Sequence, residues 1–135
     1  MSTEHEARLR ALYAAFNARE VDRALADLHP DVDWSNGFEG GRVHGPAAVR
    51  EYWTRQWRTI DPTVDPHGFT AEADGRVAVD VHLVVRDRKG ALLKDEMVQH
   101  VYRIEDGLVR SMEIRPAPAR PAPRAEPPAR RLIRG

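Results

Sequence analysis

The sequence predicts an α+β fold in which helices come first and a curved antiparallel sheet wraps onto them. The first observation is a change of period. Up to Ile60 the large apolar residues recur at helical spacing, and from Thr63 to Arg115 they recur at every second position, as in strands. The second observation is punctuation. Asp74-Gly75, Arg88-Lys89-Gly90 and Asp106-Gly107 separate the period-two segments, and each is a turn signal. Successive hairpins make a meander, and a meander following helices belongs to the α+β class.

Each element has its own justification. Thr3 with Glu6 forms a capping-box pattern, and Leu9, Leu12, Tyr13 and Phe16 follow at helical spacing, which predicts a helix over 4–17. Asn17-Ala18-Arg19 breaks it. Val21, Ala24, Leu25 and Leu28 mark a second, short helix that His29-Pro30 ends. Val32–Ser35 and Arg42–Gly45 read as short strands around the turn signals Asn36-Gly37 and Gly40-Gly41. Pro46 suits the first position of a helix, and Val49, Tyr52, Trp53, Gln56, Trp57 and Ile60 form its apolar stripe until Asp61-Pro62 stops it. Strands are then expected over 63–73 (interrupted at Pro66 and Gly68), 76–86, 92–104 and 108–115.

The chain has 135 residues, enough for one domain with a sizeable core. Its 21 basic and 21 acidic residues cancel, so the whole protein carries no nucleic-acid-like bias. The absence of cysteine excludes disulfides, thiol catalysis and thiolate metal sites. No apolar run approaches the ~20 residues of a membrane span. Met-Ser-Thr-Glu-His-Glu is no signal peptide, and the chain reads as soluble and cytoplasmic. Residues 1–115 form the expected domain. Residues 116–135, with six of the ten prolines and a net charge of +4, read as an extended or disordered tail. A basic arm that recruits another macromolecule is the sharper alternative for it.

The stretch from Asp74 to Arg86 is the most informative. Val77, Val79, Val81, Leu83 and Val85 make one face of its strand continuously aliphatic. Ala78, Asp80, His82 and Val84 make the other, with Asp80 and His82 about 7 Å apart along the strand. If the second face lines a cavity, the carboxylate–imidazole pair is the chemistry. If it meets water, the pair is ordinary strand decoration.

Leu12-Tyr13-Ala14-Ala15-Phe16-Asn17-Ala18, Ala26-Asp27-Leu28-His29-Pro30-Asp31-Val32 and Gly45-Pro46-Ala47-Ala48-Val49-Arg50-Glu51-Tyr52-Trp53, in this order, resemble the nuclear transport factor 2-like superfamily. Within it the chain is most similar to the SnoaL-like and ketosteroid isomerase-like branch, over about residues 5–115. The resemblance implies a cystatin-like α+β barrel, a cone whose curved sheet wraps around the helices and leaves a pocket at one end. Isomerases of this group use an Asp base with a Tyr and a protonated Asp as oxyanion donors. The matching positions here hold Asn36, Leu12 and Gln99, which argues against steroid isomerisation.

The same alignment turns Trp34, Asn36, Tyr52, Ala78, Asp80, His82, Val84, Met97, Gln99, Val101, Met112 and Ile114 toward the pocket, with Trp53 and Trp57 closing the helix side. It turns the aliphatic stripe outward, where a second copy in a homodimer would cover it. On this reading Asp80 orients His82 as the proton-transfer group. Asn36 and Gln99 hydrogen-bond a substrate oxygen, and Trp34, Tyr52, Trp53, Trp57, Val101 and Met112 enclose an apolar or aromatic, polyketide-like body. A cyclase, isomerase or dehydratase without cofactor is the implied activity, and a non-catalytic ligand-binding or dimerisation module is the alternative. The six histidines show no ligand spacing, so no metal is expected. His100 is expected to face outward, opposite Gln99.

Overall fold

The computed structural model describes residues 3–117, so nearly all of the expected tail lies outside the described residues. Helix α1 (Thr3–Asn17) and the short α2 (Val21–Leu25) precede β1 (Leu28–Ser35) and β2 (Arg42–His44). Helix α3 (Pro46–Thr59) follows, and then β3 (Ile60–Ala71), β4 (Val77–Asp87), β5 (Leu92–Glu105) and β6 (Leu108–Pro116). The strands form one six-stranded sheet in the order β2-β1-β6-β5-β4-β3. Strands β3 to β6 are the expected antiparallel meander.

Two features depart from the sequence reading. The sheet is mixed, because β1 lies parallel to β6. Strand β1 also starts at Leu28, so His29-Pro30 lies in a strand and does not end a helix. Proline fits there because the pairing with β6 is irregular between Leu28 and Asp33, and β2 pairs only with Asp33–Ser35. The missing N–H therefore breaks no ladder bond.

Strand β3 is a sheet edge, and it is blunted in two ways. Pro66 and the register shift before Gly68 interrupt it. Asn17, at the end of α1, donates from Nδ2 to the Val64 carbonyl (2.7 Å) and accepts the Val64 N–H at Oδ1 (2.9 Å), as a neighbouring strand would. Arg19 donates to the Phe16 and Pro62 carbonyls and lies over the rings of Phe16 and Trp57. These contacts fix the helices to the far end of the sheet.

The orientation of the sheet corrects the sequence reading. Val77, Val79 and Val81 are buried in the core with Leu9, Leu12, Tyr13 and Trp53, so the aliphatic stripe of β4 faces the helices. Burying each valine in full contributes roughly 1.5–3 kcal/mol, whereas turning Asp80 and His82 inward would desolvate two polar groups. Hydrophobic burial decides the face. The argument for a homodimer, which required that stripe to be outside, loses its basis.

Candidate functional site

Between the inner face of the sheet and the helices lies a cavity of about 370 Å³, within the range of about 300–1,000 Å³ typical of small-molecule sites. Helix α1 contributes Leu12, Tyr13 and Phe16, and α3 contributes Tyr52, Trp53 and Gln56. The strands add Trp34, Leu83, Val85, Val98, His100, Tyr102, Met112 and Ile114. The mouth lies between the β1–β2 loop, with Gly37 and Phe38, and the start of β5, with Leu93, Lys94 and Glu96.

The lining is mostly apolar, and its polar centre is a chain of three side chains. The Tyr102 hydroxyl donates to the Tyr13 oxygen at 2.8 Å, and the Tyr13 hydroxyl lies 2.8 Å from Nδ1 of His100. A phenol has one hydrogen, so the Tyr13 proton is directed to Nδ1, which accepts. Nε2 then carries the ring proton; this tautomer is assigned from the network. Burial without a charged partner lowers the His100 pKa to about 4, so the ring is neutral at pH 7. Burial also holds both phenols above their ordinary range. The Tyr13 and His100 rings stack at 5.8 Å, and Tyr102 meets Tyr13 edge-on at 6.2 Å.

Among the described residues, the one buried side-chain nitrogen or oxygen without a partner is Nε1 of Trp57. Tyr13 occupies Nδ1 of His100, Nε2 has no protein partner among the described residues, and the ring lines the cavity. The arrangement thus presents a neutral, oriented donor at the inner end of an apolar chamber.

Of the residues expected to form the site, Trp34, Tyr52, Trp53 and Met112 line the cavity. Asp80 and His82 do not, and they do not pair with each other. On the outer face, Asp80 accepts from Gln99 (3.0 Å), and Gln99 accepts from Arg115, which also reaches Glu72. His82 pairs through Nε2 with Asp95 (2.7 Å) and meets the His67 ring edge-on. Val101 shares the outer face with Gln99. Asn36 is buried, but its side chain is spent on its own loop. Trp57 packs on Phe16 and Trp53 behind the cavity wall.

The residues missed were Tyr13, His100 and Tyr102. His100 was expected to face outward, and it faces inward. The register supplies the missing signal: Val79 stands opposite His100 and Val77 opposite Tyr102, so both side chains follow the aliphatic face of β4. Tyr13 already lay within the apolar stripe of α1.

An exposed pair such as His82–Asp95 contributes less than about 1 kcal/mol. Replacing His82 with Ala is accordingly expected to change urea-unfolding stability by no more than about that amount and to leave cavity binding unchanged. A lost ligand affinity in His82→Ala would return this residue to the site.

Among the described residues, one group brings three metal-capable side chains together: His29, Glu105 and Asp106. It does not suit a metal. Nδ1 of His29 accepts the Asp31 N–H (3.0 Å), so Nε2 of the neutral ring, 3.9 Å from Asp106, carries the proton where a ligand lone pair would be needed.

The sequence profile of the SnoaL-like domain matches residues 9–112, almost the whole of this fold and every element that builds the cavity. The chain belongs to the SnoaL-like family. Curated protein sequences offer no significant match to this SnoaL-like chain. Solved structures do. A nuclear transport factor 2-like protein of unknown function from Burkholderia pseudomallei is 25% identical, with a TM-score of 0.74 over 86% of this chain and 92% of that one. TerC, crystallised with polyporic acid, is 24% identical, with a TM-score of 0.73 over 83% of this chain and 90% of its own. A candidate polyketide cyclase from Xanthomonas campestris is 22% identical, with a TM-score of 0.70 over 82% of this chain and 88% of its own. The nuclear transport factor 2-like fold is thereby shown.

Proposed function

We propose that this SnoaL-like protein binds an apolar, ring-bearing small molecule through a carbonyl or hydroxyl oxygen and performs acid–base chemistry at that oxygen. The observation that carries the reading is the His100 Nε2–H, held by Tyr13 and Tyr102 and directed into an apolar cavity. A neutral imidazole is a poor base when its pKa is about 4, but it is an effective donor. In a water-poor site, an oriented N–H stabilises the negative charge that develops on a carbonyl oxygen as an enolate forms, the proton on the neighbouring carbon passing to a base that enters from solvent at the mouth. Isomerisations, cyclisations and dehydrations of ring ketones share that demand. The co-crystal of TerC with polyporic acid and the candidate cyclase of Xanthomonas support a ring-bearing ligand.

One observation favours a second reading, in which the pocket binds without turnover. Glu96, at the exposed rim, is the one carboxylate among the lining residues, so the inner end has a donor but no base beside it.

Two measurements decide. Fluorescence titration, read through Trp34 and Trp53, compares a polycyclic ketone with the hydrocarbon that lacks its oxygen. The ketone is expected to bind roughly tenfold more tightly, the worth of one buried hydrogen bond, and His100→Leu removes that advantage. Equal affinities in the unaltered protein would overturn the anchor. In D2O, faster exchange of the protons beside the bound carbonyl identifies the acid–base reading. Binding with no exchange identifies the second.

A further inference from the structure

The β1–β2 loop is a hydrogen-bonded wall of the cavity, and nothing in the chemistry above uses it. Asn36 starts it. Its Oδ1 accepts the N–H groups of Phe38 (3.1 Å) and Glu39 (2.6 Å), and its Nδ2 donates to Glu39 Oε1 (3.0 Å). Its backbone closes the loop on Gly40 and Gly41, both at 2.9 Å. Glu39 is then gripped by Arg55 of α3 through two bonds, Nε to Oε2 (3.1 Å) and a terminal nitrogen to Oε1 (2.8 Å). These bonds from Arg55, with that from Asn36, hold the Glu39 carboxyl down at about 2, so the clamp stays charged at any working pH. The Tyr52 hydroxyl lies close to the backbone N–H groups of Gly37 and Phe38. These bonds brace the loop, whereas the end of the Ile114 side chain is free to change rotamer.

Gly37 is where that rigidity matters. Its backbone is not in the left-handed region, unlike that of Gly40 and Gly41, so conformation does not require glycine here. Space sets the consequence of a larger residue: a Cβ at position 37 would stand 2.8 Å from Cδ1 of Ile114, the far end of a flexible side chain, which would have to shift. Ile114 is 39% exposed and, like Gly37, lines the cavity where it opens to solvent. With the loop braced, the end of Ile114 is the part able to move, and moving it narrows the mouth.

We infer that the Gly37–Ile114 contact sets the width of ring system that the pocket admits. Glycine lets the isoleucine lie back against the loop, and the isoleucine marks the limit of the opening. The inference rests on the reading of the cavity as a pocket for ring-bearing molecules, and it adds that shape is selected at the rim, apart from the His100 anchor.

The test uses two isomers of equal composition, 2-hydroxyanthracene, which is long and narrow, and 9-hydroxyphenanthrene, which is angular and wide. Binding is followed by tryptophan fluorescence in the full chain, with circular dichroism to show that each variant is folded. The unaltered protein is expected to prefer the linear isomer. Ile114→Ala raises affinity for the angular isomer roughly tenfold and Gly37→Ala lowers it by a similar factor, the scale on which one methyl group discriminates in an apolar pocket. The linear isomer responds little to either. Gly37→Ala in the Ile114→Ala background has almost no further effect, because the methyl it would push is gone. Equal responses of both isomers, or strictly additive effects in the double variant, would overturn the filter while leaving the pocket standing. Binding of neither isomer by the unaltered protein would overturn the ring-binding reading and the filter with it.

Discussion

Replacing His100 with Gln is expected to remove about 3 kcal/mol of acid sensitivity from the fold. The ring is buried beside two un-ionised phenols, and it resists protonation until about pH 4. In the unfolded chain the same ring takes up its proton near the ordinary value of about 6.5. Between these two values the unfolded state binds more protons, so acid favours it. The stabilisation from the neutral ring is therefore complete above about pH 6.5 and is lost as pH falls toward 4. Carboxylates that titrate over the same interval are common to both proteins, and they cancel in the comparison. Urea unfolding at pH 7, 5.5 and 4 should show the stability gap between the native chain and His100→Gln closing in favour of the variant by about 3 kcal/mol. Parallel profiles would mean that water reaches the ring, and the neutral donor proposed for the site would go with that result.

How legible this site was depends on a single residue of register. The helices, the turns and the presence of all six strands follow from period and punctuation, because each is a local property of neighbouring residues, although β1 begins four residues before the expected Val32. The parallel pairing of β1 with β6 joins distant segments, and no local pattern announces it. The face of β4 was the decisive ambiguity. Val77 to Val85 and Ala78 to Val84 alternate strictly, and an alignment displaced by one residue exchanges the two sets. Placing Gln99 inward sent His100 outward and made Asp80 and His82 the chemistry. The burial of Val79 and Val81 reverses all of these assignments together. The aromatic wall survived because Trp34, Tyr52 and Trp53 lie on β1 and α3, whose inward faces do not change when β4 and β5 are displaced by one residue. The more reliable evidence in the sequence was thus the length of the aliphatic stripe, since an unbroken run of five apolar side chains on one strand face costs most when left in water.

Trp53→Ala should be the most destabilising single change in the wall of the pocket. Trp53 is 1% exposed and sits where three aromatic rings converge. Phe16 and Trp34 meet it edge-on, each at 5.4 Å, and Trp57 lies at 6.0 Å. Truncating such a residue loses its transfer energy and leaves a void, a cost of about 3–5 kcal/mol. Phe16 belongs to α1 and Trp34 to β1, so the rings that surround the void are anchored on different elements and cannot all collapse into it. The void would join the existing cavity at its helix side, lined by apolar groups that a flat ring can replace. Indole at millimolar concentration is therefore expected to raise the Tm of Trp53→Ala while leaving the native chain little changed, because a ligand that binds only the folded state stabilises it by mass action. A loss below about 1 kcal/mol on urea unfolding would show that the aromatic cluster relaxes into the gap. Full loss without rescue by indole would show that the void is closed by rearrangement of α3, and that Trp53 holds the helix in place more than it bounds the ligand.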